Sequence, residues 1–216
     1  MKACIFDMDG VIVDSAKYHF LAWQRLAEEL SIDFNHHDNE ALKGLSRVDS
    51  LERILIKGGL QLDNNTKEVL MDKKNKWYLE FISDMRPEEV LPGVKEFLEM
   101  LKEEGVKIGL GSSSKNAQMI LDKTNLAPFF DVVVDGNQVT FSKPDPEVFI
   151  NGSRQLNVMP SEVVVFEDAE AGVDAALSGG FHVIGVGDAN VLSKAEGVIR
   201  TFEGLTPSDV RTMLNL

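Results

Sequence analysis

Five short apolar runs constrain this chain more than any other feature: Ala3 to Phe6, Val106 to Gly111, Val132 to Val134, Val163 to Phe166 and Val183 to Val186. Runs this short, rich in valine and bounded by glycine and polar turns, read as strands buried on both faces, the pattern of a parallel sheet. Helical periodicity fills the intervals. Val94-Phe97-Leu98-Leu101 precedes the second run, and helical stretches around Ala117 to Lys123, Glu147 to Leu156 and Gly172 to Leu177 separate the later ones. Strand and helix in alternation specify a parallel α/β sheet with right-handed crossovers.

The interval after the first strand has a different character. Trp23, Leu26, Ala27 and Leu30 mark one face of an amphipathic helix between Ser15 and Leu30, and helical patterns continue through Leu51-Ile54-Leu55 and Val69-Leu70 to Trp77-Leu79-Phe81. Gly58-Gly59 is a break, and no strand intervenes. Residues 15–83 therefore read as an all-helical block inserted into a discontinuous sheet domain, 1–14 with 84–216. Its linkers are expected near Asp14 to Tyr18 and Ser83 to Pro92.

Composition narrows the function. A net charge of −13 over 216 residues disfavours nucleic acid and anionic membrane surfaces, whose affinity is built from Lys and Arg. The single Cys4 excludes a disulfide framework and fits a reducing compartment. No apolar run approaches the length of a membrane span, and Asp7 and Asp9 interrupt the first apolar stretch before it could serve as an export signal, so the expected location is the cytoplasm.

In open α/β sheets, ligands gather outside the carboxyl ends of the strands, so residues following each strand belong together. Here the first strand delivers Asp7 and Asp9, the second Ser112, Ser113, Ser114 and Lys115, and the fourth Glu167 and Asp168, with Lys143 in a strand-to-helix segment. Crowded carboxylates need a cation or a proton to offset them. Oxygen donors without thiolates suit a hard ion such as Mg²⁺. One Cys and four scattered His (His19, His36, His37, His182) assemble no familiar zinc site. A serine-rich strand end leading into a helix can cradle an anion. Taken singly, the serines and Glu167-Asp168 read equally well as helix caps, and Lys143 as a solvated lysine before Pro144.

Together, Asp7-Met8-Asp9-Gly10-Val11, Ser112, Lys143-Pro144 and Glu167-Asp168, in that order, resemble the haloacid dehalogenase superfamily of phosphotransferases over essentially the whole chain. The resemblance implies a Rossmann-like parallel-sheet core with an inserted α-helical cap domain. It implies Asp7 as the nucleophile forming an aspartyl phosphate, and Asp9 as general acid/base. Mg²⁺ would be held by the Asp7 carboxylate, the Asp9 backbone carbonyl and Asp168, with Glu167 behind them, while Ser112 and Lys143 would bind the transferring phosphoryl group.

Within the cap, Lys43-Gly44-Leu45-Ser46-Arg47-Val48-Asp49-Ser50-Leu51 reads on its own as a loop leading into a serine-capped helix. With Tyr18 to Trp23 before it and Gly111 to Asn116 after it, it resembles the sugar-phosphate mutases of the superfamily. That implies interconversion of β-D-glucose 1-phosphate and glucose 6-phosphate through β-glucose 1,6-bisphosphate. It also implies a second phosphate site from Arg47, Ser114, Lys115 and Asn116, sugar contacts from Gly44, Leu45, Ser46 and Lys74, His19 acting on the loop that carries Asp9, and Trp23 packing near the site. Ala169 stands where many relatives place Ser, and Ser113 adds a hydroxyl; neither removes a catalytic group. A sugar phosphate is the expected partner, and a monomer the expected state.

Two other functions fit parts of this pattern. A sugar-phosphate phosphatase of the same fold would hand the phosphoryl group to water. A phosphoacceptor signalling module also uses Mg²⁺ and an aspartyl phosphate, but it would be shorter and would need neither cap nor Asp9. A dinucleotide fingerprint is missing, since neither Gly109-Leu110-Gly111 nor Gly185-Val186-Gly187 continues to its third glycine.

Overall fold

A computed structural model describes all residues, 1–216. Six parallel strands form one sheet in the order β3-β2-β1-β4-β5-β6: β1 (Ala3–Phe6), β2 (Lys107–Gly111), β3 (Val132–Val134), β4 (Val163–Glu167), β5 (His182–Val186) and β6 (Gly197–Ile199). Four helices make up the block inserted after β1: α1 (Ala16–Glu29), α2 (His36–Glu40), α3 (Arg47–Lys57) and α4 (Asn64–Ile82). The remaining five are α5 (Val94–Glu103), α6 (Ala117–Lys123), α7 (Glu147–Leu156), α8 (Glu170–Ser178) and α9 (Pro207–Leu214).

The five expected strands all form, and the sequence-based reading missed β6, α2 and α9. The first linker is also shorter than expected, because α1 already begins at Ala16. Ser15, just before it, is fully buried.

Side-chain alternation along the strands divides the interior. Ala3, Ile5, Val163, Val165 and Val183 pack with Val148, Phe149 and Leu156 of α7 and with Val173, Ala175 and Ala176 of α8. Cys4, Phe6, Ile108, Leu110, Val164, Phe166 and Ile184 point the other way, toward α5, α6 and α9. On that face Phe6 stacks on Phe166 with ring centroids 4.8 Å apart, and Phe97 and Phe202 close around them. This aromatic cluster anchors the two strands whose next residues carry the acidic groups. The second apolar cluster also runs without a break into the inserted helices through Trp23, Leu26, Leu51, Ile54 and Tyr78.

Register positions the site. Phe6 pairs with Leu110 on one side and Phe166 on the other, so the chain leaves β1, β2 and β4 at the same level. The carboxyl ends of three adjacent strands, about 4.8 Å apart, therefore present Asp7, Ser112 and Glu167 side by side.

Candidate active site

Immediately after β1 the chain turns sharply. Asp7 N–H donates to Phe166 O at 2.9 Å, and Gly10 takes a left-handed φ of +84°. A side chain at Gly10 would collide with the Asp168 carboxylate, so glycine here lets the first loop approach the fourth strand end. Asp7, Glu167 and Asp168 consequently offer oxygens within 4.8 Å of one another.

Lys143 completes this layer and is not the solvated lysine it could have been. Its side chain is fully buried, and Nζ donates to Asp7 Oδ1 at 2.5 Å, Glu167 Oε1 at 2.6 Å and the Gly111 carbonyl at 3.1 Å. Burial alone would favour loss of its proton, but the charges of Asp7 and Glu167 outweigh that and raise its pKa. Glu167 has its other oxygen on the Ala169 N–H at 2.9 Å. Even so, burial lifts its pKa to about 7 against the pull of Lys143.

Asp168 is pushed well above the ordinary carboxylate range, by burial first and then by Glu167 and Asp7, and Lys43 at 3.6 Å compensates only part of this. The acidic layer is thus short of positive charge. Three hard oxygen donors with that deficit fit a divalent cation such as Mg²⁺, which binds one or two carboxylates and keeps room for water or phosphate oxygen.

Asp9 stands apart from the cluster. It accepts from the Ser15 hydroxyl, and His19 Nε2 lies 3.8 Å from Oδ1. Burial, followed by repulsion from Asp7, lifts its pKa to about 6. Behind it, Lys74 Nζ sits 3.2 Å from His19 Nδ1 and faces the rings of Trp23 and Tyr78 at 4.6 and 4.7 Å. Burial, then Arg47, brings the Lys74 pKa down to about 7, and burial with Lys74 and Arg47 holds His19 well below its usual value. A neutral His19 that accepts at Nδ1 carries its proton on Nε2, which has no partner and faces Asp9.

Above these groups lies a cavity of about 640 Å³ between the strand ends and the inserted helices. Asp7, Asp9, Ser112, Ser114, Lys115, Asn116 and Lys143 line it from the sheet side, and His19, Trp23, Gly44, Leu45, Ser46, Arg47 and Lys74 from the helical side. Every site residue expected from the sequence faces it except Glu167 and Asp168, which belong to the acidic layer with Asp7.

Local structure accounts for several of these residues. Ser112 Oγ accepts from the Ser114 N–H and Ser114 Oγ from the Asn116 N–H, which folds the serine run into the start of α6. Ser46 caps α3 through the Asp49 N–H, so the capping role is real and Arg47 projects from the first residue of that helix. Ser113 donates to Gly44 O at 3.0 Å, Ser142 to Asp49 Oδ2 at 2.6 Å, and Gly44, at a left-handed φ of +74°, packs closely against Ala169. The helical block is therefore tied down over the strand ends. Among the lining residues that the sequence reading did not single out, two stand out by their polar atoms. Asn75 joins Arg47 to Asn116, and Tyr78 has a hydroxyl with no hydrogen-bond partner although the residue is 1% exposed.

An inserted helical block on a parallel sheet, with an aspartate pair, a serine, a buried lysine and an acidic pair at successive strand ends, defines a class. Residues 1–180 match the family model of haloacid dehalogenase-like hydrolases. The chain belongs to that family and is an enzyme.

Among its relatives, a β-phosphoglucomutase of Bacillus subtilis is 45% identical over 208 residues, 95% of this chain and 92% of that protein. A phosphorylated carbohydrates phosphatase of Thermotoga maritima is 35% identical over 190 residues, 85% of this chain and 84% of the other. In structure the chain resembles the β-phosphoglucomutase of Clostridium difficile, with a TM-score of 0.96, 37% identity, and coverage of 100% of this chain and 97% of that one. No helix is long and apolar enough to cross a membrane.

Proposed function

We propose that this chain is a Mg²⁺-dependent β-phosphoglucomutase, interconverting β-D-glucose 1-phosphate and glucose 6-phosphate through β-glucose 1,6-bisphosphate. In this reading residues 15–83 are a cap that closes over a core built from 1–14 and 84–216. Asp7, Asp168 and the Asp9 carbonyl would hold Mg²⁺, which neutralises phosphoryl charge and favours attack by a carboxylate.

Asp7 attacks the phosphorus of the bisphosphate, forming an Asp7 oxygen–phosphorus bond while the bond to the sugar oxygen breaks. Asp9, able to hold a proton near neutrality, gives it to the departing sugar oxygen and takes one from the attacking hydroxyl in the reverse step. Lys143 and Ser112 bind the phosphoryl oxygens as charge spreads over them. Lys143 also holds Asp7 in place.

The observation that carries the mutase over simple hydrolysis is the second polar end of the cavity. Asn75 links Arg47 of the helical block to Asn116 of the sheet domain, and Ser114 and Lys115 line the same cavity, so cationic and amide donors from both sides are available to a second phosphate. A bisphosphate that must bind in two orientations needs such a site, whereas release of phosphate to water does not. A sugar-phosphate phosphatase is the second reading, favoured by the Thermotoga relative.

Roles are tested by detecting the phosphoenzyme. Asp7→Asn should give none from acetyl phosphate or the bisphosphate. Arg47→Ala should still be phosphorylated by acetyl phosphate, which has no second phosphate, yet turn over sugar at least about tenfold more slowly, the loss expected for a charge-assisted contact. A phosphorylated Asp7→Asn protein, or undiminished sugar turnover in Arg47→Ala, contradicts the assignment.

A further inference from the structure

Asn75 lies on α4, one residue after Lys74, and lines the same cavity. Its side-chain oxygen receives two hydrogen bonds: Arg47 Nη2 donates to Oδ1 at 2.8 Å, and Asn116 Nδ2 donates to the same atom at 3.0 Å. Arg47 can only donate, and the Asn116 group is an amide NH₂, so the shared atom must be the Asn75 oxygen and not its nitrogen. The three residues come from three elements. Arg47 opens α3, Asn75 lies just past the middle of α4, and Asn116 occupies the position before the first residue of α6 on the sheet side.

The consequence is electrostatic as well as geometric. Arg47 is half-buried, and burial already depresses its pKa, with Asp72 the first compensating charge. A long guanidinium in such a place loses rotamer freedom when fixed, and a neutral acceptor fixes it without consuming its charge. A carboxylate at position 75 would satisfy the same two donors, but it would neutralise the site that an incoming phosphate has to find. An amide orients the donors and leaves the net positive charge for the ligand. Because one donor comes from the helical block and the other from the sheet domain, the same oxygen also sets their spacing when the two are together.

We propose that Asn75 is a positioning residue that holds Arg47 and Asn116 as one receptor for the non-transferring phosphate of a hexose phosphate. This inference rests on the functional reading above, in which Arg47 and Asn116 receive that phosphate. Asn75 acts through its two partners, so its effect should disappear when either partner is removed.

The experiment is a double-mutant cycle read by calorimetric binding of glucose 6-phosphate to the Mg²⁺-loaded enzyme, using Asn75→Leu, Arg47→Ala and the double variant. Position 75 is half-buried within α4, where leucine carries no cost in helix propensity. Asn75→Ser, which keeps a hydroxyl but shortens the reach, serves as a second variant should the leucine protein not fold.

Asn75→Leu should weaken glucose 6-phosphate binding about tenfold on the wild-type background, and less than about twofold in Arg47→Ala. Replacing Arg47→Ala by Asn116→Ala in the cycle should likewise shrink the effect. A full tenfold loss persisting in both partner variants, or wild-type affinity in the single variant, overturns the proposal. Binding is measured rather than turnover. A wild-type enzyme that releases mainly orthophosphate from β-glucose 1-phosphate would therefore sink the mutase reading while leaving the cycle to judge Asn75 separately.

Discussion

Lys74 shows how much a single buried charge can say. It is 2% exposed, its pKa lies near 7 against an ordinary lysine value of 10.5, and its partners are a neutral imidazole and two aromatic faces. Between those two pH values the unfolded chain holds the Lys74 proton more tightly than the folded one. The contribution of Lys74 to stability therefore rises with pH through that window and is least favourable at pH 7 and below. Lys74→Met should be most stable relative to wild type near pH 7 and lose that advantage toward pH 10, as read by denaturant midpoints. A gap that widens with pH would contradict the assignment. Tyr78 makes a companion case. Its buried hydroxyl makes no well-formed hydrogen bond, although Ser114 is close enough to influence it, and an unpaired hydroxyl costs about 1–3 kcal/mol. Tyr78→Phe should melt at the wild-type temperature or above in the absence of ligand; a lower melting temperature would mean that the hydroxyl is already bonded.

At the level of elements, the site depends on how closely α8 approaches the end of β4. A side chain at Gly172 would fall on the Glu167 carboxylate, displacing the group that shares Lys143 with Asp7. Gly172→Ala should lower stability by about 1–3 kcal/mol, measured by thermal unfolding, and should reduce phosphoenzyme formation with it. Unchanged values for both would show that Glu167 can move freely.

The elements differ in how legible they were. Five strands announced themselves because parallel strands buried on both faces are written as compact apolar runs. β6 did not: like β3 it has three residues and lies at an edge of the sheet, but β3 is an unbroken run of valines whereas β6 begins with Gly197. α9 left a signal that went unread: Thr206 and Asp209 form a capping box with Pro207 at the first helical position. The strand-end residues of the site could be pooled from the rule for open sheets. Asn75 and Tyr78 could not, because on a helix facing other helices a polar residue acquires its role only from what the tertiary fold sets against it.

Taken whole, the molecule is a closed arrangement. Ser113 to Gly44, Ser142 to Asp49, Asn116 to Asn75 and Lys43 to Asp168 join the helical block to the strand ends around one cavity. In the proposed mutase, closure of this kind would let a phosphoryl group pass between Asp7 and a sugar hydroxyl before water intercepts it. The fold itself supports either outcome, as the mutase and phosphatase relatives together show. The direct measurement supplies β-D-glucose 1-phosphate with Mg²⁺ and a catalytic amount of β-glucose 1,6-bisphosphate, then quantifies glucose 6-phosphate and orthophosphate separately. Glucose 6-phosphate as the main product is the expected result; orthophosphate as the main product would contradict it.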